Sequence, residues 1–215
     1  MPSDTLPPDE QVLALLIRHG ATTLNNPRNP KLRGWDNPGL NDEGRFTILL
    51  TANKTKIYRP KMVYSSDLAR DSQSAILYAE LMGNIPYEMD FGLRTADMGT
   101  LTAMPEEDIR ARVLRWYQRP YEKAPGGDSF NDWSRGFWMF IEPKIELSRE
   151  SPAFRPTAFF THGRNIAYLD SYYRGVPPEQ GMTSKTGEAV VLKSTFEGQD
   201  FIDFLGENES IIEDV

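Results

Sequence analysis

The sequence predicts an α/β protein, a three-layer sandwich in which a mostly parallel central sheet is flanked by helices. Short apolar runs alternate with helical patterns along the chain, which is typical of strands covered on both faces. The length of 215 residues, with 39% hydrophobic and 26% charged residues, suits one domain with a sizeable core. We expect that domain to span residues 1–215, with peripheral tails at 1–11 and from about 197 to 215.

The first half of the chain predicts three extended segments and two helices. Residues 12–17 form a continuous apolar run, as in a buried strand. The segment from Asn41 to Gly44 has the composition of a helix start, and residues 61–65 form a second short strand. Ser66 and Asp67 are expected to cap a helix that ends near Gly83, before an extended segment at 86–93.

The second half continues the alternation. Pro105 and the acids after it open a helix. A further helix follows Gly127, with aromatic residues at spacings of three or four that are more typical of core than of a cofactor site. Residues 158–161 predict a fourth strand, 165–173 a helix ending near Gly175, and 189–192 a fifth strand.

Composition excludes several classes of function. The net charge of −7 disfavours binding to nucleic acid or to an anionic membrane. The chain has no cysteine, which excludes disulfides, thiolate nucleophiles and cysteine-ligated zinc. The acidic, proline-rich first ten residues do not resemble a signal peptide, and no apolar run approaches a membrane span. We therefore expect a cytoplasmic protein; a homodimer is left open.

The two histidines of the chain occupy similar places. His19 follows the first predicted strand and His162 the fourth, and a glycine comes after each. The carboxyl edge of a parallel sheet is where ligands bind in α/β folds, so both imidazoles could lie at one site. The alternative is that the two histidines are unrelated.

Two arginines point to an anionic ligand. Arg18 precedes His19 at the end of a buried strand, where a cation is costly unless an anion compensates it. Arg70 falls in the first helical turn after the second strand, although alone it could be a solvated surface residue. A guanidinium matches two phosphate oxygens. Thr22 and Asn25, in the loop after His19, could add hydrogen bonds to a ligand or be ordinary loop residues.

Residues 18–25 resemble the Arg-His-Gly-x-Thr-x-x-Asn signature of the histidine phosphatase (phosphoglycerate mutase-like) superfamily. Four more segments resemble family elements in the family's order, and together the five cover roughly residues 12–192. They are residues 34–44, 64–70, 125–129 and 161–163.

The resemblance implies a phosphatase mechanism. His19 would attack phosphorus and form a phosphohistidine, which water then hydrolyses. Arg18, Arg70 and His162 would hold the phosphoryl oxygens as charge shifts. We expect a small phosphorylated molecule as the substrate and no metal or cofactor. Expected substrate-binding residues are Thr22, Asn25 and Gly163.

One element departs from the family pattern. The family usually has a glutamate as proton donor in a Leu-x-Glu-x-x-x-Gly element, and here Thr95 stands at that position. Threonine cannot be a general acid at neutral pH. Asp97 would lie on the same face if this segment were a strand, so Asp97 is a candidate replacement. The alternative is a surface or helix-capping aspartate.

Three functional interpretations stay open: a phosphomonoesterase, a binding or regulatory module that keeps the phosphate pocket but turns over poorly, and a phosphoglycerate mutase. The mutase branch carries a Glu-Arg-His-Tyr-Gly-like element that this chain lacks. Additional cations could meet further negative charge on a substrate, or form a solvated surface. They are Lys31, Arg33, Arg110, Arg112, Arg115 and Arg119.

Overall fold

The computed structural model describes residues 10–25, 31–150, 155–195 and 197–210. Five α-helices and eight strands lie in these parts of the chain. The helices are α1 (Asp42–Thr55), α2 (Ala69–Leu81), α3 (Glu106–Gln118), α4 (Phe130–Arg149) and α5 (Gly163–Arg174). The strands are β1 (Glu10–Arg18), β2 (Met62–Ser65), β3 (Tyr87–Met89), β4 (Thr157–Thr161), β5 (Met182–Ser184), β6 (Ala189–Thr195), β7 (Asp200–Phe204) and β8 (Asn208–Ser210).

The central sheet has six strands in the order β3-β2-β4-β1-β6-β7. The first four run parallel, whereas β6 and β7 are antiparallel to their neighbours. This confirms the predicted mostly parallel sheet. The strands β5 and β8 form a separate two-stranded antiparallel sheet.

Helices cover both faces of the sheet, which confirms the three layers. One core joins β1 to α1 and α2, through residues such as Ile48 and Tyr78, and the other joins β1 to α4 and α5, through residues such as Phe137 and Leu169. Successive side chains of β1 point to opposite faces of the sheet, so its continuous apolar run serves both cores. A buried strand of this kind needs no alternating pattern.

Two predictions about boundaries are wrong. Leu68 is the N-cap of α2 and makes no side-chain cap, so Ser66 and Asp67 do not cap that helix. The segment from about 197, predicted to be a peripheral tail, contains β7, which pairs with β6, and β8, which pairs with β5. Residues 200–204 carry two acids separated by two apolar residues and do not alternate strictly, so the segment gives no clear period-two signal of a strand. Residues 1–9 and 211–215 lie outside the described residues.

Within the described parts of the chain, no helix combines the length and apolar character that a membrane-spanning helix needs.

Gly44, in the first turn of α1, fixes the loop that follows His19. A Cβ atom built on Gly44 would lie 2.2 Å from the carbonyl oxygen of Ala21. We expect Gly44→Ala to lower the free energy of unfolding by about 1–3 kcal/mol, the usual cost of overpacking, measured by urea denaturation. In the control Gly136→Ala, on the exposed side of α4, a Cβ meets nothing within 4 Å. That variant should be neutral or more stable; equal losses in both would contradict the close approach.

Candidate active site

The carboxyl ends of three neighbouring strands carry the candidate site. In the pairing of β1 with β4, Arg18 lies opposite Thr161, and the backbone N–H of His19 donates to the Thr161 carbonyl at 3.0 Å. His19 and His162 therefore leave the sheet side by side, and their ring centroids are 5.4 Å apart. The prediction that one sheet edge brings the two histidines together is correct.

His19 is held so that Nε2 carries the lone pair of the ring. Its Nδ1 lies 2.9 Å from the Gly20 carbonyl oxygen, which can only accept, so Nδ1 carries the hydrogen. Nε2 then has the lone pair and accepts from Arg70 Nε at 3.2 Å. Burial lowers the pKa of His19 well below its usual value, with Arg70 as the next largest cause and the Gly20 carbonyl acting in the opposite direction. The imidazole is therefore neutral at pH 7.

Arg70 links the two histidines. Its side chain is 1% exposed, and it donates to the backbone carbonyls of Gly34 and Asp36 as well as to His19. Its Nη2 lies 3.3 Å from Nδ1 of His162. The sequence-based alternative, a solvated surface arginine, is wrong, because the start of α2 directs this side chain over the sheet edge.

Arg18 is held by the small second sheet. Its Nη1 donates to the Ser184 carbonyl at 2.8 Å and to Glu209 Oε2 at 3.0 Å. Gly163 begins α5 beside it, and a Cβ on Gly163 would lie 3.2 Å from Arg18 Cζ. Gly163 therefore lets the guanidinium lie close to the helix N-terminus, whose positive end favours an anion.

A cationic cavity surrounds the two imidazoles. Five of its wall residues are lysine or arginine, and none of the described residues in the wall carries a carboxylate. Three of these cations, Arg18, Arg70 and Arg164, are buried, and such a cluster in an acidic protein favours an anionic ligand. The described wall consists of Arg18, His19, Lys31, Leu32, Arg33, Gly34, Arg70, Thr95, His162, Gly163 and Arg164.

The site excludes three of the residues predicted from sequence. Thr22 and Asn25 shape the loop after His19, since Asn25 Oδ1 accepts from both the backbone N–H and the hydroxyl of Thr22. Asp97 accepts from the backbone N–H of Gly99 at 2.8 Å, and Thr95, not Asp97, is part of the cavity wall. Residues 95–98 belong to no strand, so the period-two argument for Asp97 was wrong.

Sequence reasoning missed two charged residues beside the histidines. Arg164 lines the cavity and donates to the Tyr117 hydroxyl at 2.6 Å; its place directly after His162 and Gly163 was the available signal. Asp71, next to Arg70, is fully buried against His162. A carboxylate within a helix start carries no sequence signal of such a contact.

The arginine cluster of α3 lies elsewhere. None of Arg110, Arg112, Arg115 or Arg119 lines the cavity. Arg115 and Arg119 pair with Glu122 on the surface, as in the solvated-surface interpretation. Lys31 and Arg33, in contrast, both lie in the cavity wall.

Among the described residues, no group of three or more histidine, aspartate or glutamate side chains is arranged to hold a metal ion.

A cationic cavity around a neutral imidazole, at the carboxyl edge of an α/β sheet, suits an anionic ligand. The chain belongs to the histidine phosphatase superfamily (branch 1), whose family model matches residues 14–203. This confirms the resemblance found in the sequence.

Relatives and solved structures agree with that family. The chain is 26% identical over 168 residues to the probable phosphoglycerate mutase GpmB of Yersinia enterocolitica, covering 76% of this chain and 75% of that protein. A mycobacterial glucosyl-3-phosphoglycerate phosphatase in complex with VO3 has a TM-score of 0.71 at 23% identity, covering 91% of this chain and 98% of that one. A phosphoglycerate mutase from Thermus thermophilus has a TM-score of 0.65 at 23% identity, covering 92% and 99%. These likenesses in structure show the shared fold.

Proposed function

We propose that the protein is a phosphatase that hydrolyses small phosphate monoesters through a phosphohistidine on His19, without a metal. The observation that carries the proposal is the lone pair of His19 Nε2, which faces the Arg70 guanidinium in the wall of the cationic cavity. Phosphoryl transfer depends mainly on positioning and on charge stabilisation, and both are supplied here by protein side chains.

The proposed reaction has two steps. His19 Nε2 attacks phosphorus in line, the N–P bond forms and the P–O bond to the leaving group breaks. Arg18 and Arg70 hold the equatorial oxygens while charge moves to the leaving oxygen. Water then attacks the phosphohistidine, releases inorganic phosphate and restores the neutral imidazole.

A mutase is the second candidate, because the curated relative is named a probable phosphoglycerate mutase. Against it, the cavity wall has Thr95 at the position of the acid element, and none of the wall residues that the structure describes carries a carboxylate. A screen of phosphate monoesters tests the proposal. Sustained release of inorganic phosphate supports the phosphatase, and isomerisation of phosphoglycerate that depends on a bisphosphate primer supports the mutase. Release of no more than one phosphate per protein would indicate a binding module.

The Asp97→Asn variant should change activity little. Asparagine retains an oxygen that can accept from the Gly99 N–H, and the carboxylate it replaces is outside the cavity wall. We therefore expect kcat/KM for glycerol phosphate and for p-nitrophenyl phosphate to change by the same small factor. A selective loss on glycerol phosphate, of the roughly 10²–10⁴-fold size typical of general acid catalysis, would restore Asp97 as the proton donor.

A further inference from the structure

Asp71 places a buried acid directly behind the cavity. No part of its side chain is exposed, and among the described residues neither of its carboxylate oxygens has a well-aligned hydrogen bond. Its closest basic partner is His162, whose Nε2 lies 3.2 Å from Asp71 Oδ2. A buried carboxylate in this position is costly unless it shares a proton or pairs with a cation. The two-step reaction leaves this group without a role.

The two nitrogens of His162 face different partners. Nε2 lies near Asp71 and 3.3 Å from the Ser66 hydroxyl. Nδ1 lies 3.3 Å from Arg70 Nη2, and Nε of the same guanidinium contacts His19 Nε2 at 3.2 Å. One phosphoryl group bound to this guanidinium can therefore reach both the nucleophile and His162 Nδ1, while Asp71 stays on the far side of the ring.

The pair has one proton to share near neutral pH. Burial raises the pKa of Asp71 to about 7, against the opposing effects of Arg70 and the Ser66 hydroxyl. Burial also lowers the pKa of His162, and the nearby cations add to that effect. Because the two groups interact closely, the proton belongs to the pair. The charged and titratable groups around them are Arg70, His19, Arg18 and Arg33 near His162, and Arg70 and Asp67 near Asp71.

We propose that Asp71 is a positioning residue that stabilises His162 as an imidazolium once phosphate is bound, so that His162 protonates the leaving group. This inference rests on the phosphatase activity proposed above. A phosphate dianion beside Nδ1 favours positive charge on the ring, and the Asp71 carboxylate compensates that charge from the opposite side. The same arrangement, an aspartate behind a histidine, stabilises the imidazolium in hydrolase triads.

The proton balance closes over both steps. As the bond from His19 Nε2 to phosphorus forms and the P–O bond breaks, the proton of His162 Nδ1 moves to the leaving oxygen. His162 is then neutral, with its Nε2–H directed at the Asp71 carboxylate. In the second step the attacking water gives its proton to Nδ1, which restores the imidazolium as phosphate is released. The cavity wall otherwise has Thr95 at the family's acid position.

Substitution of Asp71 by asparagine tests the role of its charge. The asparagine side chain retains the size and an acceptor oxygen but cannot compensate an imidazolium. We expect kcat/KM for glycerol phosphate to fall by about 10²–10⁴-fold, and that for p-nitrophenyl phosphate, whose leaving group needs no proton, to stay close to wild type. The basic limb of the pH profile for glycerol phosphate should move down by about one to three units, because an adjacent opposite charge raises the pKa of a histidine by that amount. Asp203→Asn, on β7 at a partly exposed ion pair with Lys193, is the matched control.

The protonation state of His162 can be measured by NMR in the absence of turnover. With two histidines in the chain, ¹⁵N-histidine spectra can be assigned with His19→Ala. In wild-type protein saturated with inorganic phosphate at pH 7, both nitrogens of His162 should be protonated, and in Asp71→Asn the ring should be neutral. A neutral His162 in phosphate-bound wild type, or equal losses of kcat/KM on both substrates, would overturn the proposal. Absence of any monoester hydrolysis by wild type would instead refute the proposed function, and the spectra would still decide the state of His162.

Discussion

His19→Ala should reduce kcat by about 10⁶-fold, the scale observed when a covalent nucleophile is removed, or to below detection. Among the residues described at this edge, the other nitrogen that faces Arg70 is Nδ1 of His162. Quenching the wild-type enzyme during turnover of a ³²P-labelled substrate should trap an acid-labile, base-stable phosphoprotein. The His19→Ala protein should carry no such label.

His162→Ala is the matched control for that experiment. It removes the second imidazole of the chain but leaves the nucleophile and its contact with the Gly20 carbonyl in place. We expect slow turnover with the label still on His19. If the label were retained in His19→Ala and lost in His162→Ala, the nucleophile would have been assigned to the wrong histidine.

Arg70→Ala should damage both catalysis and stability. The side chain holds two carbonyls and contacts two imidazoles, so its removal takes away charge stabilisation worth about 10²–10³-fold in kcat for a single donor. It also leaves the carbonyls of Gly34 and Asp36 without this donor, and each unsatisfied buried group lowers the free energy of unfolding by about 1–3 kcal/mol. The Asp71 carboxyl loses its adjacent cation at the same time. Urea denaturation together with steady-state kinetics measures the two effects.

Arg70→Lys separates charge from geometry. A lysine keeps the cation but presents one ammonium group in place of a planar fork, so it cannot meet both imidazoles and both carbonyls. We expect kcat/KM to remain far below wild type while part of the stability returns. The exposed ion pair of Arg115 with Glu122 supplies a surface control, since Arg115→Ala should change stability by less than about 1 kcal/mol. Wild-type activity in Arg70→Lys would show that the fork is not required.

The sequence was most informative where strands end. Arg18, His19 and His162 follow apolar runs, and the parallel arrangement of those strands is enough to predict that the three side chains meet. The place of Arg70 in the site was predicted from the family motif, because its position at a helix start does not reveal that its side chain turns back over the sheet. For Arg18, His19 and His162, the end of a strand determines where the backbone lies, and few side-chain rotamers are compatible with that position.

The contacts of acids could not be predicted in the same way. Asp97 was chosen as the nearest carboxylate, yet its segment is a loop in which the Gly99 N–H engages it. Nothing in the sequence around Asp71 marks its contact with His162, because that contact depends on the packing of α2 against the end of β4. Glu209 reaches Arg18 from a strand far along the chain. Such contacts depend on tertiary packing, about which local periodicity carries no information.

The pairing of β1 has a consequence for how the chain acquires its structure. This strand begins at residue 10, but its two neighbours, β4 and β6, come from residues 157–161 and 189–195. Long loops must therefore close before the centre of the sheet exists, which places folding among the slower, non-local topologies. Until then one of the most apolar segments of the chain keeps both of its edges unpaired, and such a strand can pair with other chains. A fragment ending before residue 157 should therefore aggregate rather than fold in part.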